Sequence, residues 1–519
     1  MPGPPVLNGP FTMPMFNGFV PRRVQPWIYV FFAFVFQLTG SIYAGAMPHI
    51  MGDTCLMRED VLMIVMCGVV GVNMPFPFLF RFKFRFTNRQ LLLTSALVIA
   101  ACNVLCLFTE SLPLLCMLSY VAGFFKLCGT FECMSNIQLW MTAKRDFTIF
   151  FPLLYCIVLG DMSLSPWITE ELTYIFQSWH AMHWFMAGLM ALVALMVYVM
   201  THNFRFMKPL PLVSLDWLGC VLWSAVMIEL IFLFNYGEYY NWWDGRPFCV
   251  VALALPVTLY FTIQRMRHIR HPYIAPEAWM YKRLVPLMIL FAMVELIGAT
   301  PKVIQNTFTA GVLHFGWTDT TELNLVEWAG VIMGCLSVLL WVKVLRQKFT
   351  RLLTVGMAAM LCYEVMMYFL ISPGVNVGAL YFPVWCRAFG NAIFFTTLTI
   401  YLEELIPFQH FFMGLTMAGL IRNGVMGTIC SGLFSFSLRH QVAENMARGV
   451  GHDATQALMV SLKQIGGLAC IMCLAVFMVF LLWDIQPVRN TLKKMPYWSV
   501  VGRMLRRRMA AEDAAEKSV

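Results

Sequence analysis

Charge is what this sequence has least of. Only 12% of its 519 residues are Asp, Glu, Lys or Arg, about half the ~25% of an ordinary soluble domain, while 60% are apolar. With a mean hydropathy of +0.71, too little polar surface exists to coat a water-soluble body, which excludes a soluble enzyme. No Walker loop is present, so the chain has no visible means of using ATP. The order of the N-terminal region predicts no cleaved leader, because Arg22 and Arg23 stand directly before the first apolar run rather than ahead of a short one. Acids are scarcer than bases, 27 against 36, yet no basic patch is joined to a soluble domain, so nucleic acid is excluded as a partner.

What is present is apolar length. A helix needs about 20 apolar residues to span the hydrocarbon, and fourteen such runs are found, near 25–47, 61–80, 90–108, 112–138, 147–168, 179–201, 215–236, 247–265, 284–312, 325–345, 352–371, 378–402, 410–438 and 464–485. The expected fold class is therefore an all-α polytopic membrane protein, with the lipid bilayer as its solvent. Basic residues orient it. With both termini in the cytoplasm, 27 Lys and Arg fall inside, among them Arg81, Lys83, Arg85 and Arg89 after the second run, and five fall outside. A missed helix would have inverted the bias after it.

Four cations remain inside runs: Lys126, Lys302, Arg387 and Arg422. Five acids join them, Glu132, Asp161, Glu229, Glu295 and Glu364. Each buried charge costs roughly 2.5–3.5 kcal/mol on insertion, so most should face a bundle interior or a wet cavity and be paired. Glu295 and Lys302 are two helical turns apart and share a face with Gln305, while Pro301 loosens the backbone between them. A broken helix with a polar stripe is what a mid-membrane site uses, which makes Glu295 the first proton-carrying candidate and Lys302 its charge partner. In the first half, Lys126 and Glu132 are about 120° apart around one helix and cannot easily meet. Lys126 with Asp161 on the next helix is the better pair, by elimination. His180 and His183 have metal-ligand spacing but no third ligand, so no metal is expected, and the flanking Trp179 and Trp184 place them at the lipid–water interface. The sixteen cysteines, scattered through apolar runs, read as small buried hydrophobes.

Several motifs, in chain order, resemble those of the fourteen-helix drug/proton antiporters of the major facilitator superfamily. Ala46-Met-Pro48-His-Ile50 ends the first run as the family's A-L-P-x-I does, and Leu215-Asp216-Trp-Leu-Gly219 is similar to its D-x-x-G start of an inserted seventh helix. Pro301-Lys-Val-Ile-Gln305 matches P-x-x-x-Q, Arg387-Ala-Phe-Gly390 resembles R-G-x-G, and Arg422-Asn-Gly-Val-Met-Gly427 resembles R-x-x-x-x-G. The departures are equally specific. Phe84 replaces the acid of the loop motif after the second helix, Ala122-Gly123 stands where the family's fourth-helix Q-G would follow an arginine that is absent, and the fifth-helix antiport signature has become Ser165-Pro166-Trp-Ile-Thr169-Glu170.

The resemblance implies a major facilitator fold: six-helix bundles at 25–201 and 284–485, an inserted helix pair and linker at 202–283, a tail at 1–24 and a basic tail at 486–519. It implies a secondary transporter with a cavity between the bundles, proton-coupled and exporting an amphiphilic compound or drug across the inner membrane. Glu295, Asp161 and Glu132 would handle protons, with Lys302 and Lys126 as charge partners. Gln305, Pro301, Arg387 and Arg422 would order the cavity helices, and Arg85 and Arg89 would brace the cytoplasmic gate. Small-molecule substrate and protons are the expected partners, no cofactor is implied, and some relatives with this helix count work with a periplasmic adaptor and an outer-membrane channel. The rival expectations are uptake of an organic anion by symport and a transport-inactive sensor or scaffold.

Overall fold

The computed structural model describes residues 15–40, 42–141, 147–203, 211–212, 215–269, 271–274, 284–345, 349–406, 408–450 and 453–483. Lys144, Arg145, Arg205, Lys208, Arg270, Lys282, Arg283, Arg346, Lys348 and the basic tail, which belong to the 27 cations assigned to the cytoplasm, lie outside these residues.

Apolar runs without water to bond their backbone become helices, and every one of the fourteen runs does. The first is split: α1 comprises Gln25–Leu38 and Ile42–Asp53. It is followed by α2 (Arg58–Arg85), α3 (Asn88–Cys106), α4 (Leu112–Met141), α5 (Phe147–Phe176) and α6 (His180–Met200). The pair α7 (Trp217–Tyr236) and α8 (Arg246–His268) comes next. The second half has α9 (Leu284–Gly311), α10 (Trp317–Lys343), α11 (Phe349–Leu370), α12 (Val377–Leu405), α13 and α14 (Ala454–Trp483). α13 runs through Phe408–Gly419, a π-helical stretch Leu420–Met426, and Gly427–Ala447. Twelve of the fourteen are long and apolar enough to cross a membrane by composition alone; the others are α12 and α13, the hosts of Arg387 and Arg422. This is a multi-pass membrane protein, all-α among the described residues apart from one isolated bridge, Phe16 to Thr201, which ties the N-terminal arm to the end of α6.

Helices α1–α6 pack into one bundle and α9–α14 into another. The two meet along α5 against α10 and where α2 approaches the π-helical stretch of α13. The inserted α7 lies over that second seam, touching α2 and α13. The Asp216 to Gly219 motif explains its anchoring. Asp216 caps α7, its Oδ1 accepting from Gly219 N at 2.9 Å and from Arg265 of α8 at 2.7 Å, while Oδ2 accepts from Tyr273 N at 3.1 Å. A Cβ at Gly219 would fall on that carboxylate, so the aspartate and the glycine are required together. Below, the face from which α1 starts is the basic face and the other the far face.

Two measurements follow from the fold. Asp216→Ala removes a cap and leaves Arg265 without its partner, and thermal unfolding in detergent should report a loss of about 1–2 kcal/mol. Cys55, between α1 and α2, is the one exposed cysteine of the sixteen. With the basic face in the cytoplasm, an impermeant maleimide should label it on intact cells, and protection of Cys55 would reverse the orientation.

Candidate functional site

The turn in α1 positions the site. Helix Gln25–Leu38 gives way to a turn at Thr39 and Gly40, where Gly40 N donates to Gln37 O at 3.1 Å, and the chain is helical again from Ile42, about midway along the span. Ser165 of α5 donates to Leu38 O at 2.7 Å, and Gln37 donates to Thr130 of α4 at 2.9 Å. The ammonium of Lys126 lies against Gly40, where any Cβ would collide with Nζ. Lys126 is only 5% exposed and Asp161 only 1%. The two are within electrostatic reach, and Asp161 Oδ2 has no hydrogen-bond partner among the described residues.

Lys126 opens into a cavity of about 760 Å³ between the bundles. At 1.5 Å per residue, Lys126 stands about 22 Å from the basic-face end of α4, and Arg422 about 21 Å from that end of α13. One cation from each half therefore reaches the same depth, and both line the cavity. Arg422 sits in the π-helical stretch, a local widening that frequently accompanies functional sites. Its Nε donates to Glu295 Oε1 at 2.5 Å, and its guanidinium lies 3.6 Å from the Phe395 ring centroid.

Toward the basic face the wall is aromatic. Phe412 meets Phe80 at 4.6 Å and Phe131 at 5.5 Å, and Phe411 meets Phe151 at 5.8 Å, each contact joining the two halves. Toward the far face the halves meet differently: Glu170 of α5 accepts from Thr320 and, at 3.2 Å, from Asn324 of α10, and Tyr174 stacks on Trp317 at 3.8 Å. Polar groups below Lys126 include Thr130, Ser135, Gln138, Lys83 and Glu403.

Several sequence expectations are corrected here. The cation against Glu295 is Arg422; Lys302 is exposed. Pro301 does not break α9, which is continuous from Leu284 to Gly311; the irregularity is in α1, at the turn of Thr39 and Gly40, which was the unread signal. Gln305 is buried and accepts a bond from Tyr363 at 3.2 Å, away from the cavity wall. Glu132 pairs with Lys83 at 3.4 Å, with Asn136 also on its carboxylate, so Lys83 is no loop cation but 7% exposed within the wall. Continuing the helical period one turn past the apolar run would have found it, since Lys83 lies opposite Arg81 and on the side of Phe80. Arg85 is exposed and Arg89 covers the Tyr198 ring at 4.4 Å within its own bundle; neither lines the cavity. Arg387 pairs with Glu327 at 2.6 Å inside the second bundle. His183, in the first turn of α6, is buried with Nδ1 against Asn103 at 2.9 Å, and among the described residues no group of His, Cys, Asp or Glu is placed to hold a metal ion.

No protein-family model matches the chain, and no curated protein is similar to it in sequence. Solved structures do match in shape. An auto-inhibited POT family peptide transporter superposes with a TM-score of 0.56 at 14% identity over 89% of this chain and 96% of its own. A POT family transporter in complex with 5-aminolevulinic acid gives 0.56 at 14% over 90% and 98%. The human organic anion transporter MFSD10 (TETRAN) gives 0.52 at 9% over 88% and 100%. At such identities the likeness establishes the fold, which is that of the major facilitator transporters.

The buried pair at the cavity's basic end is directly testable. Lys83→Met leaves Glu132 with its cation removed, and thermal unfolding should show a loss of about 3–5 kcal/mol, most of which Lys83→Met/Glu132→Leu recovers. Additive losses in the double variant would mean that the two charges do not act as a pair.

Proposed function

We propose that this protein is a secondary active transporter that carries an amphiphilic organic anion by alternating access, coupled to protons. The observation that carries the reading is the pairing of Lys126 and Arg422 at one depth above an aromatic wall in the cavity between the halves. Two cations offer charge-assisted hydrogen bonds to a carboxylate or similar head group, and the phenylalanines accept an apolar body. The neighbours named as a peptide transporter, a transporter holding an amino acid and an organic anion transporter agree with cargo of this kind. Each half supplies one cation, so a bound anion draws the halves together, and its release lets them part.

Coupling follows from Lys126 and Asp161. Ionised, Asp161 competes with cargo for the ammonium; protonated, it leaves Lys126 free. Proton and anion then favour each other's binding, which is the thermodynamic requirement for symport. Export by antiport, the expectation from the antiporter resemblance, needs cargo and proton to exclude each other, and a cavity with three lining cations against one lining acid, Glu403, suits a cationic drug poorly. The role of Glu295 becomes the orientation of Arg422. An adaptor and an outer-membrane channel belong to the export reading and are not needed for symport.

The test uses purified protein, a thermal-shift screen of aromatic carboxylates against matched amines, and flux into liposomes under imposed pH gradients. Carboxylates should stabilise and amines should not. Lys126→Gln should weaken carboxylate binding about 10- to 100-fold, the loss of a hydrogen bond to a charged group. Asp161→Asn should bind the carboxylate yet no longer accumulate it against its gradient. Accumulation by Asp161→Asn equal to wild type would end the coupling assignment; stabilisation by amines alone would end the anion reading.

A further inference from the structure

The second bundle buries a charge cluster of its own, outside the cavity. Arg387 on α12 donates Nη2 to Glu327 Oε2 on α10 at 2.6 Å, lies 5.8 Å from the Tyr363 ring centroid, and is within electrostatic reach of Glu364 on α11. Two acids thus share one guanidinium, unequally. Glu327 has the ion pair and a side chain 34% exposed, whereas Glu364 is 2% exposed. Glu364 Oε1 and Arg387 Nε both lack a hydrogen-bond partner among the described residues. The other titratable groups toward Glu364 are Tyr363 on its own helix and Cys470 and Cys473 of the neighbouring α14. None of them is a cation.

A buried carboxylate facing no cation of its own is expensive as an anion and cheap as a neutral acid. We propose that Glu364 is a second proton-binding site, carrying its proton in this conformation, and that Arg387 controls it by exchanging partners. While Arg387 holds Glu327, Glu364 stays protonated. When α10 moves and Glu327 leaves, the guanidinium turns its free Nε to Glu364, the proton departs to water, and the carboxylate forms the new ion pair. Only an O–H bond is broken, and Glu327, released toward solvent, becomes free to take up a proton in turn.

The placement gives this exchange a purpose. Glu327 and Arg387 lie about 15 Å from the far-face ends of their helices and Glu364 about 9 Å, at 1.5 Å per residue, so the cluster stands between the far face and the level of Lys126. Trp328, next to Glu327, packs on Gly160, next to Asp161, where α10 meets α5. The helix that must slide during alternating access therefore carries Glu327 on one side and touches the Asp161 helix on the other. The consequence for coupling rests on the transport reading above; the proton site itself does not, and its test needs no cargo.

The experiment is infrared difference spectroscopy of the full chain in liposomes through a pH titration, reading the carbonyl band of neutral carboxylic acids. Wild type should keep a protonated-carboxyl band at neutral pH that Glu364→Gln loses and Asp161→Asn retains. Glu327→Gln should lose the same band although Glu364 is present, because Arg387 is then free to pair with it. The isosteric Glu364→Gln should melt at the wild-type temperature at neutral pH, since its amide copies a neutral acid. A band unchanged in Glu364→Gln, or a strongly destabilised Glu364→Gln, would overturn the proton site. A band that survives in Glu327→Gln would overturn the exchange.

Discussion

An ammonium group held among apolar helices is the constraint on which the remainder depends. Lys126 cannot remain charged in the centre of a bilayer without polar company, and three separate features supply it. The first helix gives up its regular hydrogen bonding at Leu38, α5 brings Asp161 and the hydroxyl of Ser165, and position 40 surrenders its side chain so that the ammonium can approach. An interrupted span and a buried acid are each unfavourable alone. Together they offset one another, and the result is a polar point with one open side, the side that faces the cavity.

The same rule, that a buried charge needs a partner, organises the other ion pairs. Lys83 with Glu132, Arg422 with Glu295 and Arg387 with Glu327 all join different helices. Such pairs contribute little net stability compared with a well-packed apolar contact. Their value is in specifying which helix faces which, in an interior where leucine and phenylalanine would accept many alternatives. The two pairs flanking the cavity, one in each half, fix its walls, while the third lies inside the second bundle.

How much of this was legible in the sequence follows from the same physics. Span number and approximate limits were readable because the bilayer imposes length and the loops collect charge. Lys126 with Asp161 was reachable by elimination, since helical geometry forbade the alternative on the same span. The partner of Glu295 was not, because Arg422 stands 127 positions away and sequence spacing is informative only within a helix. Lys83 was hidden by three loop-like arginines around it. Pro301 was overrated, since a proline removes one hydrogen bond without obliging a long helix to stop, whereas Thr39-Gly40, with no proline, forms a turn within the first span. The Asp216 to Gly219 motif was informative about architecture, because the aspartate's cap and the glycine's missing side chain are required together.

The two halves meet on either side of the cavity through different chemistry: phenylalanines from both halves toward the basic face, and a carboxylate accepting from a hydroxyl and an amide toward the far face, beside a stacked ring pair. Apolar contact owes its strength to solvent entropy and weakens on cooling, while hydrogen bonds, being enthalpic, do not. The two contacts between the halves therefore respond to temperature unequally: cooling weakens the phenylalanine contact at the basic face and leaves the hydrogen-bonded one at the far face.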